Sequence, residues 1–114
     1  MEQDCLFCKI ASGEIDSDIV AQSDAVVAFR DINPAAPAHV LVIPRRHIAS
    51  AADLGRSDGE LLAEMFEVAA SLATQEGIDG GYRVVTNVGP DAGQSVAHLH
   101  LHVLGGRRMS WPPG

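Results

Sequence analysis

The sequence has few cysteines, few basic residues and no long apolar segment. No apolar run approaches the roughly 18 residues that a membrane-spanning helix needs. An acidic start at residues 1–4 with no apolar stretch behind it argues against a secretory signal. Eight Lys and Arg against fifteen Asp and Glu give a net charge of −7, which disfavours binding to long nucleic acid. We therefore expect a cytoplasmic protein that binds a small molecule.

The 114 residues and 12.0 kDa fit one domain, and 46% apolar residues are enough for a core. Periodicity predicts a short helix within 5–12 and a long helix between a capping box at Ser57 and Glu60 and a stop at Gly77. Runs of β-forming residues predict five strands, at 19–22, 25–30, 39–43, 82–87 and 96–104. We expect a single α+β domain over 1–114 with an antiparallel sheet.

Three of the five histidines alternate with leucine at His98, His100 and His102. Side chains two residues apart on a strand point to the same face, so the three imidazoles are expected to share a face while Leu99 and Leu101 are buried on the other. Three interpretations arise: a polar solvent face, a catalytic zinc site, or a nucleophilic imidazole whose neighbours position a phosphate.

The loop before the histidines favours the phosphate interpretation. Gly93 lets a backbone approach a ligand closely, and Asn87, Gln94 and Ser95 supply neutral hydrogen-bonding groups. A zinc hydrolase does not need such a loop. The alternative is an ordinary connection between strands.

The two cysteines, Cys5 and Cys8, form a C-x-x-C pair. A reducing compartment argues against a structural disulfide. The pair is open to three interpretations, namely a metal knuckle, a redox pair or two ordinary small residues. The redox interpretation is disfavoured because the βαβ context typical of such motifs is missing.

Residues 87–106, N-V-G-P-D-A-G-Q-S-V-A-H-L-H-L-H-V-L-G-G, resemble the signature of the histidine triad (HIT) superfamily. The segments at 7–10, 29–32, 37–44 and 111–114 resemble the Hint branch, the histidine triad nucleotide-binding proteins. The resemblance covers nearly the whole chain. It implies a HIT-like fold with five antiparallel strands, one long and one short helix, and a sheet extended across a homodimer.

The resemblance implies a purine nucleoside phosphoramidase, which cleaves the P–N bond of nucleoside 5′-phosphoramidates. His100 matches the nucleophile that forms a covalent nucleotidyl-histidine, and a neutral imidazole is an adequate nucleophile near pH 7. By the same resemblance His102 contacts the phosphate, His39 orients the histidine cluster, and Ser95 helps to protonate the leaving nitrogen.

The nucleotide-binding residues are also carried over from the resemblance. The positions that match base and ribose contacts are Phe7, Ile10, Phe29 and Ile32 around the base and Asp31 at the ribose hydroxyls. Asn87 and Gln94 match residues that contact the phosphate or the nucleotide. From the residues alone, Asp31 is equally a turn residue before Asn33 and Pro34, and the two phenylalanines are equally core residues.

Some bacterial HIT proteins carry the same C-x-x-C and use it with two histidines to bind zinc. The matching positions here are Cys5, Cys8, His47 and His98. Four ligands would make a closed, structural Zn²⁺ site that the chemical step does not require. The alternative is two small residues and a solvent-exposed His47.

Two further functions remain open. A dinucleoside polyphosphate hydrolase is the nearest rival within the superfamily, although Ser95 and the W-P-P-G ending at 111–114 favour the Hint branch. A non-catalytic nucleotide-binding or interaction module would bind nucleotide without turnover. The amine leaving group and the choice between adenine and guanine are not specified by the sequence.

Overall fold

The computed structural model describes residues 4–114, so that residues 1–3 of the acidic start lie outside the described part. The expected five-stranded antiparallel sheet is confirmed, with the strand order β1-β2-β3-β5-β4. The strands are β1 Ile19–Gln22, β2 Val26–Arg30, β3 Ala38–Pro44, β4 Tyr82–Val85 and β5 Leu101–Gly105. The helices are α1 Leu6–Ala11 and α2 Gly59–Gln75, with 3₁₀ turns at Ala51–Asp53, Arg56–Asp58 and Pro90–Ala92. None of the helices within 4–114 is long and apolar enough to cross a membrane.

The sheet is covered on both faces, which explains why β2 and β3 are almost continuously buried. Alternate residues of each strand belong to different cores because side chains alternate across a strand. Val26, Val40 and Val42 pack with α2, whereas Val27, Phe29 and Leu41 pack with α1. His39 of β3 and His102 of β5 lie on the α1 side of the sheet.

The start of α2 differs from the prediction. The predicted capping box of Ser57 and Glu60 does not form, and the helix begins at Gly59 after a 3₁₀ turn. The Asp58 carboxylate accepts a hydrogen bond from the Gly55 N–H at 2.9 Å and is also paired with Arg46. These contacts stabilise the preceding turn, and the helix begins at Gly59, one residue later than a helix capped by Ser57 would begin. The predicted stop is confirmed, since Gly77 has a φ of 73° just after the helix.

The last two strands are shorter than predicted. β4 ends at Val85 instead of residue 87, and β5 begins at Leu101 instead of residue 96. Residues 96–100 leave the sheet because the His98 N–H donates to the Val96 carbonyl at 2.9 Å and the Leu99 N–H donates to the Ile48 carbonyl at 2.6 Å. Only His102 of the three histidines therefore lies on the strand. The alternation nevertheless persists, since Leu99 and Leu101 are buried in the core beneath α2.

Candidate functional site

Four histidine side chains lie close together at the α1 side of β3 and β5. The ring centroids of His100 and His102 are 4.9 Å apart, and those of His39 and His102 are 5.2 Å apart. His39 belongs to β3, directly beside β5, and faces the same side of the sheet as His102. His98 lies just before them, with its ring turned to the cysteines.

Hydrogen bonds fix the tautomers of His39 and His102. The Ala35 N–H donates to His39 Nδ1 at 3.0 Å, so the proton of neutral His39 is on Nε2. That nitrogen is 2.9 Å from His102 Nδ1, which therefore accepts. His102 consequently carries its own proton on Nε2. Asp31 Oδ2, 3.5 Å from His39 Nε2, supports the orientation of the donor.

Both of these imidazoles are held neutral. Burial lowers the pKa of His102 to about 4, assisted by the neighbouring His100 and His39 and opposed by the charge of Asp31. Burial also lowers the pKa of His39, although Asp31 acts in the opposite direction. Near neutral pH, His102 is therefore an uncharged hydrogen-bond donor through Nε2.

The tautomer of His100 is the reverse of that of His102. His100 Nδ1 is 2.7 Å from the His98 carbonyl oxygen, which can only accept, so Nδ1 carries the proton. The lone pair of Nε2 is thereby free for a substrate. The Thr86 hydroxyl donates to the His100 carbonyl at 2.8 Å and fixes the backbone. His100 is 5% exposed and borders a cavity.

This cavity has a volume of about 340 Å³, within the range of small-molecule sites. We call it the nucleoside cavity because the family resemblance implies a nucleoside there. It is lined by the predicted residues Phe7, Ile10, Phe29, Asp31, Ile32, Ser95, His100 and His102. Its remaining lining, including Leu6, Ile15, Asp16, Ser17 and Leu41, was not indicated by the sequence. The lining combines apolar walls with two carboxylates and two histidines, His100 and His102.

The two phenylalanines serve as core residues as well as cavity walls. Phe7 and Phe29 are 5% and 3% exposed, and their rings meet edge to face at a centroid distance of 5.4 Å. Phe7 also contacts the His100 ring edge to face at 5.1 Å. Ile32, in contrast, is 88% exposed at the rim of the cavity.

Asp31 combines the turn interpretation with a position in the cavity. Its Oδ1 accepts a hydrogen bond from the Asn33 N–H at 2.8 Å, which makes an Asx turn before Pro34. Its side chain also lines the nucleoside cavity. One carboxylate oxygen thus stabilises the loop, and the other lies towards His39.

The residues of the loop before the histidines have separate places. Gly93 has a φ of 86°, a left-handed conformation that favours glycine. The Gln94 side chain accepts from the Gly89 N–H and donates to the Ala49 and Val96 carbonyls, so it organises the loop. Its predicted contact with phosphate stays a prediction. Ser95 is exposed at the nucleoside cavity, whereas Asn87 lines a different cavity beside His39 and His102.

A second cluster brings together Cys5, Cys8, His47 and His98, whose ligand atoms all lie within 4.8 Å of one another. His98 Nδ1 is 3.2 Å from Cys5 Sγ and 3.5 Å from Cys8 Sγ, and His47 Nδ1 is 3.4 Å from Cys8 Sγ. Zn–S bonds of about 2.3 Å and Zn–N bonds of about 2.0–2.1 Å in a tetrahedron predict ligand separations of about 3.3–3.8 Å. The donor set of the cluster suits zinc, and these three separations are close to those of a tetrahedral zinc site.

The contacts around the cluster prepare its ligands. His98 Nε2 donates to the Pro44 carbonyl at 2.8 Å, so its Nδ1 lone pair faces the cysteines. Burial lowers the pKa of the His98 side chain, which favours the neutral form that a metal ligand requires. Cys5 is the N-cap of α1, and its Sγ accepts from the Cys8 N–H at 3.3 Å.

The two clusters bear on whether the alternating histidines bind a catalytic zinc or contain a nucleophile. Within residues 4–114, His98 converges with the cysteines and His47, whereas His102 converges with His39 and Asp31. The three histidines of the H-L-H-L-H run thus do not point their ligand atoms at one common position. The arrangement favours a nucleophilic imidazole over a catalytic zinc bound by the run.

Comparison with known proteins agrees with this geometry. The family model described as HIT domain matches residues 12–109. The chain belongs to the HIT domain family. The resemblance found in the sequence is thus confirmed at the level of the family.

Three relatives of this HIT protein illustrate the similarity. A structure described as a HIT family hydrolase from Legionella pneumophila is 53% identical with a TM-score of 0.95, over 97% of this chain and 100% of that one. A histidine triad nucleotide-binding protein from Candida albicans is 32% identical with a TM-score of 0.82, over 97% and 85% of the two chains. A 14 kDa zinc-binding protein from Zea mays is 48% identical, over 96% of this chain and 87% of that protein.

Proposed function

We propose that this HIT protein is a purine nucleoside phosphoramidase that converts a nucleoside 5′-phosphoramidate and water into a nucleoside monophosphate and an amine. The observation that carries the proposal is the tautomer of His100. Its Nδ1 proton is bound by the His98 carbonyl at 2.7 Å, so its Nε2 lone pair is directed away from that bond at the edge of a nucleotide-sized cavity. The names of the Legionella and Candida relatives, a hydrolase and a nucleotide-binding protein, support the same reading.

The lining of the nucleoside cavity supports the proposed binding of a nucleoside. A purine base is flat and apolar on its faces, and Phe7, Ile10, Phe29 and Ile32 offer apolar contacts to it. Ribose hydroxyls are donors, and Asp31 offers a carboxylate acceptor in the same cavity. With the base and ribose bound in this way, we expect the 5′-phosphorus to lie near His100 and His102.

The first chemical step forms the His100 Nε2–P bond and breaks the P–N bond. The imidazole retains its Nδ1 proton, and the positive charge that develops on the ring is stabilised by the His98 carbonyl. The leaving nitrogen takes a proton, for which we propose the hydroxyl of Ser95 at the cavity edge, and departs as the neutral amine. In the second step water attacks phosphorus, the Nε2–P bond breaks, and the proton lost by water restores the hydroxyl.

His102 and His39 assist without changing their protonation. The Nε2–H of His102 donates to a phosphoryl oxygen, and the negative charge on that oxygen grows in the transition state. His39 fixes this orientation by donating to His102 Nδ1 at 2.9 Å. We propose that Asn87 also contacts the phosphate, because it lines the cavity that borders His39 and His102.

We further propose that Cys5, Cys8, His47 and His98 bind a structural Zn²⁺. The Cys₂His₂ donor set and the zinc-binding relative from Zea mays support this assignment. Bound zinc supplies a crosslink between the start of α1 and the segment before β5. No step of the reaction runs through it, because all four ligand positions are filled by protein.

We also propose a homodimer with a sheet that continues across the interface. β4 is an edge strand, and its first residue, Tyr82, is 38% exposed. An exposed edge offers unpaired backbone groups to a second copy. Light scattering at micromolar concentration should give twice the chain mass, and a monomeric mass would contradict the dimer.

The deciding experiment is mass spectrometry of the protein after brief mixing with adenosine 5′-phosphoramidate and quenching with base. A nucleotidyl adduct is expected on the peptide that contains His98–His102, together with AMP in solution. His100→Ala should lose both, whereas Cys8→Ser should keep the adduct site if the variant remains folded. AMP formation at an unchanged rate by His100→Ala would contradict the nucleophile. Nucleotide binding without any AMP would identify a binding module.

A further inference from the structure

Two carboxylates line the nucleoside cavity, and they differ in what they already contact. Asp31 stabilises its own loop and faces the proposed ribose. Asp16 is exposed at the cavity, and within residues 4–114 no ion pair or hydrogen bond occupies its carboxylate. Arg30, the only lysine or arginine among the described residues of the lining, is paired with Asp18 and Glu76. The Asp16 carboxylate is therefore available to a ligand.

The course of α1 gives the nucleoside cavity two distinct ends. Phe7, in the first turn of the helix, contacts the His100 ring at 5.1 Å, so the helix begins beside the proposed nucleophile. The chain turns at the other end of the helix, where the N–H groups of residues 14 and 15 donate to the Lys9 carbonyl at 2.9 and 3.2 Å. Asp16 follows directly and lines the end of the cavity away from His100.

The pairing of β1 with β2 gives Asp16 the same position. The strands are antiparallel, and at their end the Arg30 N–H donates to the Asp18 carbonyl at 3.0 Å. The same register continued by two residues brings Asp16 close to Ile32, the exposed residue at the cavity rim. Asp31 lies between this rim and the histidines. The cavity thus runs from the histidines past Asp31 to an outer end at Asp16 and Ile32.

A nucleoside bound along this cavity presents the far edge of its base to Asp16. The ribose is attached to the five-membered ring of a purine, so N1 and C2 of the six-membered ring lie on the opposite side of the base. Guanine carries two adjacent donors there, the N1–H and the 2-amino group, and a carboxylate can accept from both at once. Adenine offers one donor, its 6-amino group, beside an N1 lone pair that a carboxylate oxygen repels.

We propose, on the basis of the proposed phosphoramidase function, that Asp16 accepts hydrogen bonds from the N1–H and the 2-amino group of guanine, so that guanosine 5′-phosphoramidates are the preferred substrate class. Repulsion between this carboxylate and the phosphate affects guanine and adenine nucleotides equally. The preference therefore comes from the pattern of hydrogen-bond donors. A site that binds a donor of its substrate discriminates against an analogue that lacks it.

The test measures the Kd of the reaction products GMP, IMP and AMP by titration calorimetry of the full chain. The three nucleotides differ only in the base, and hypoxanthine keeps the N1–H of guanine but lacks the 2-amino group. The wild type should bind GMP roughly fivefold more tightly than AMP, as one additional charge-assisted hydrogen bond at a partly exposed site allows, with IMP between them. Asp16→Asn should bring the Kd values of GMP and AMP to within about twofold. Equal Kd values in the wild type, or an unchanged preference in Asp16→Asn, would overturn the inference.

Glu14→Gln is the matched control. It removes the same charge two residues earlier in the same segment, and Glu14 is exposed but does not line the nucleoside cavity. This variant should keep the wild-type ratio of the two Kd values. A ratio that falls as far in Glu14→Gln as in Asp16→Asn would show a general effect of charge and would overturn the role of Asp16.

Further outcomes separate failure of this inference from failure of the proposed function. If Asp16→Asn does not fold, the wild type alone decides, since equal Kd values for GMP and IMP would overturn the contact with the 2-amino group. If the wild type cleaves adenosine and guanosine 5′-phosphoramidates with equal kcat/KM and binds GMP and AMP equally, the proposed function stands and the base selection does not. If GMP binds preferentially but neither compound is cleaved, the base selection stands and the phosphoramidase function fails. If no nucleotide binds, both fail.

Discussion

Cys5 Sγ and His98 Nδ1 lie 3.2 Å apart although 93 positions of the chain separate them. The contact joins the first turn of α1 to the segment that precedes β5. The His98 carbonyl in turn accepts a hydrogen bond from the Nδ1–H of His100. The proposed zinc site and the proposed nucleophile are therefore adjacent parts of one backbone segment.

Replacement of a proposed zinc ligand should lower the unfolding free energy more than it lowers the turnover of the folded protein. Cys5→Ser is expected to lose bound zinc and at least about 3 kcal/mol of unfolding free energy, because metal binding to a folded site is coupled to folding. Turnover of the folded fraction should fall less than zinc content. Metal analysis and thermal melts with and without a chelator test this. The chelator should lower the melting temperature of the wild type but not of the variant, and equal zinc content and melting temperature in both proteins would refute the prediction.

His39 is expected to act on the reaction through His102. His39→Ala removes the donor to His102 Nδ1 and lets that ring adopt the other tautomer, so kcat should fall by about 10²-fold. His39→Gln retains an N–H donor and should recover part of the rate. Nitrogen NMR of the His102 ring gives a readout that is independent of rate. An unchanged tautomer in His39→Ala would show that His39 does not position His102.

The buried neutral state of His102 predicts how stability depends on pH. Its pKa is about 4 in the folded protein, below the ordinary value of 6.5. Between these values the unfolded chain binds a proton that the folded protein does not, so unfolding free energy should decrease as the pH falls through this window. The loss from this one group is limited to about 3 kcal/mol.

Urea unfolding between about pH 7 and pH 4.5 measures this slope. The control is His102→Asn, which lacks the titrating group but retains the zinc ligands and the other histidines. The wild type should lose more stability than the variant across the same window. Parallel pH curves for the two proteins would mean that His102 titrates normally.

Asp31 should determine how strongly the protein prefers a ribonucleotide substrate to its 2′,3′-dideoxy analogue. The 2′,3′-dideoxy analogue of adenosine 5′-phosphoramidate offers no hydroxyl donor to the carboxylate, so its KM should be higher by about tenfold or more. Asp31→Asn preserves the acceptor for the Asn33 N–H and should narrow this difference. Asp16→Asn, which changes the same charge in the same cavity, is the control. If the KM values of the two substrates are equal in the wild type and in Asp31→Asn, Asp31 does not bind the ribose hydroxyls.

The sequence predicted the sheet and the burial pattern well because both follow from local periodicity. Leu99, Leu101 and Val103 are buried as the alternation requires, and β1 occupies 19–22 as expected. The departure of residues 96–100 from the sheet was not predictable in this way. It depends on the Ile48 carbonyl, a main-chain partner that the pattern of apolar and polar side chains does not reveal.

The site was predicted only in part for the same reason. The proposed zinc ligands His47 and His98 are 39 and 90 residues from Cys8, and family resemblance, not spacing, grouped them. The opposite tautomers of His100 and His102 were not foreseeable, because main-chain groups and tertiary contacts set them.

The protonation pattern of the histidines rests largely on main-chain groups. The Ala35 N–H, the Pro44 carbonyl and the His98 carbonyl each fix one ring. A substitution replaces a side chain but keeps the main-chain carbonyl. It also keeps the main-chain N–H unless the new residue is proline. Substitutions at Ala35 or Pro44 that keep the backbone conformation should therefore leave the histidine tautomers unchanged. Insertions or deletions in these segments would move the main-chain partners and change the tautomers.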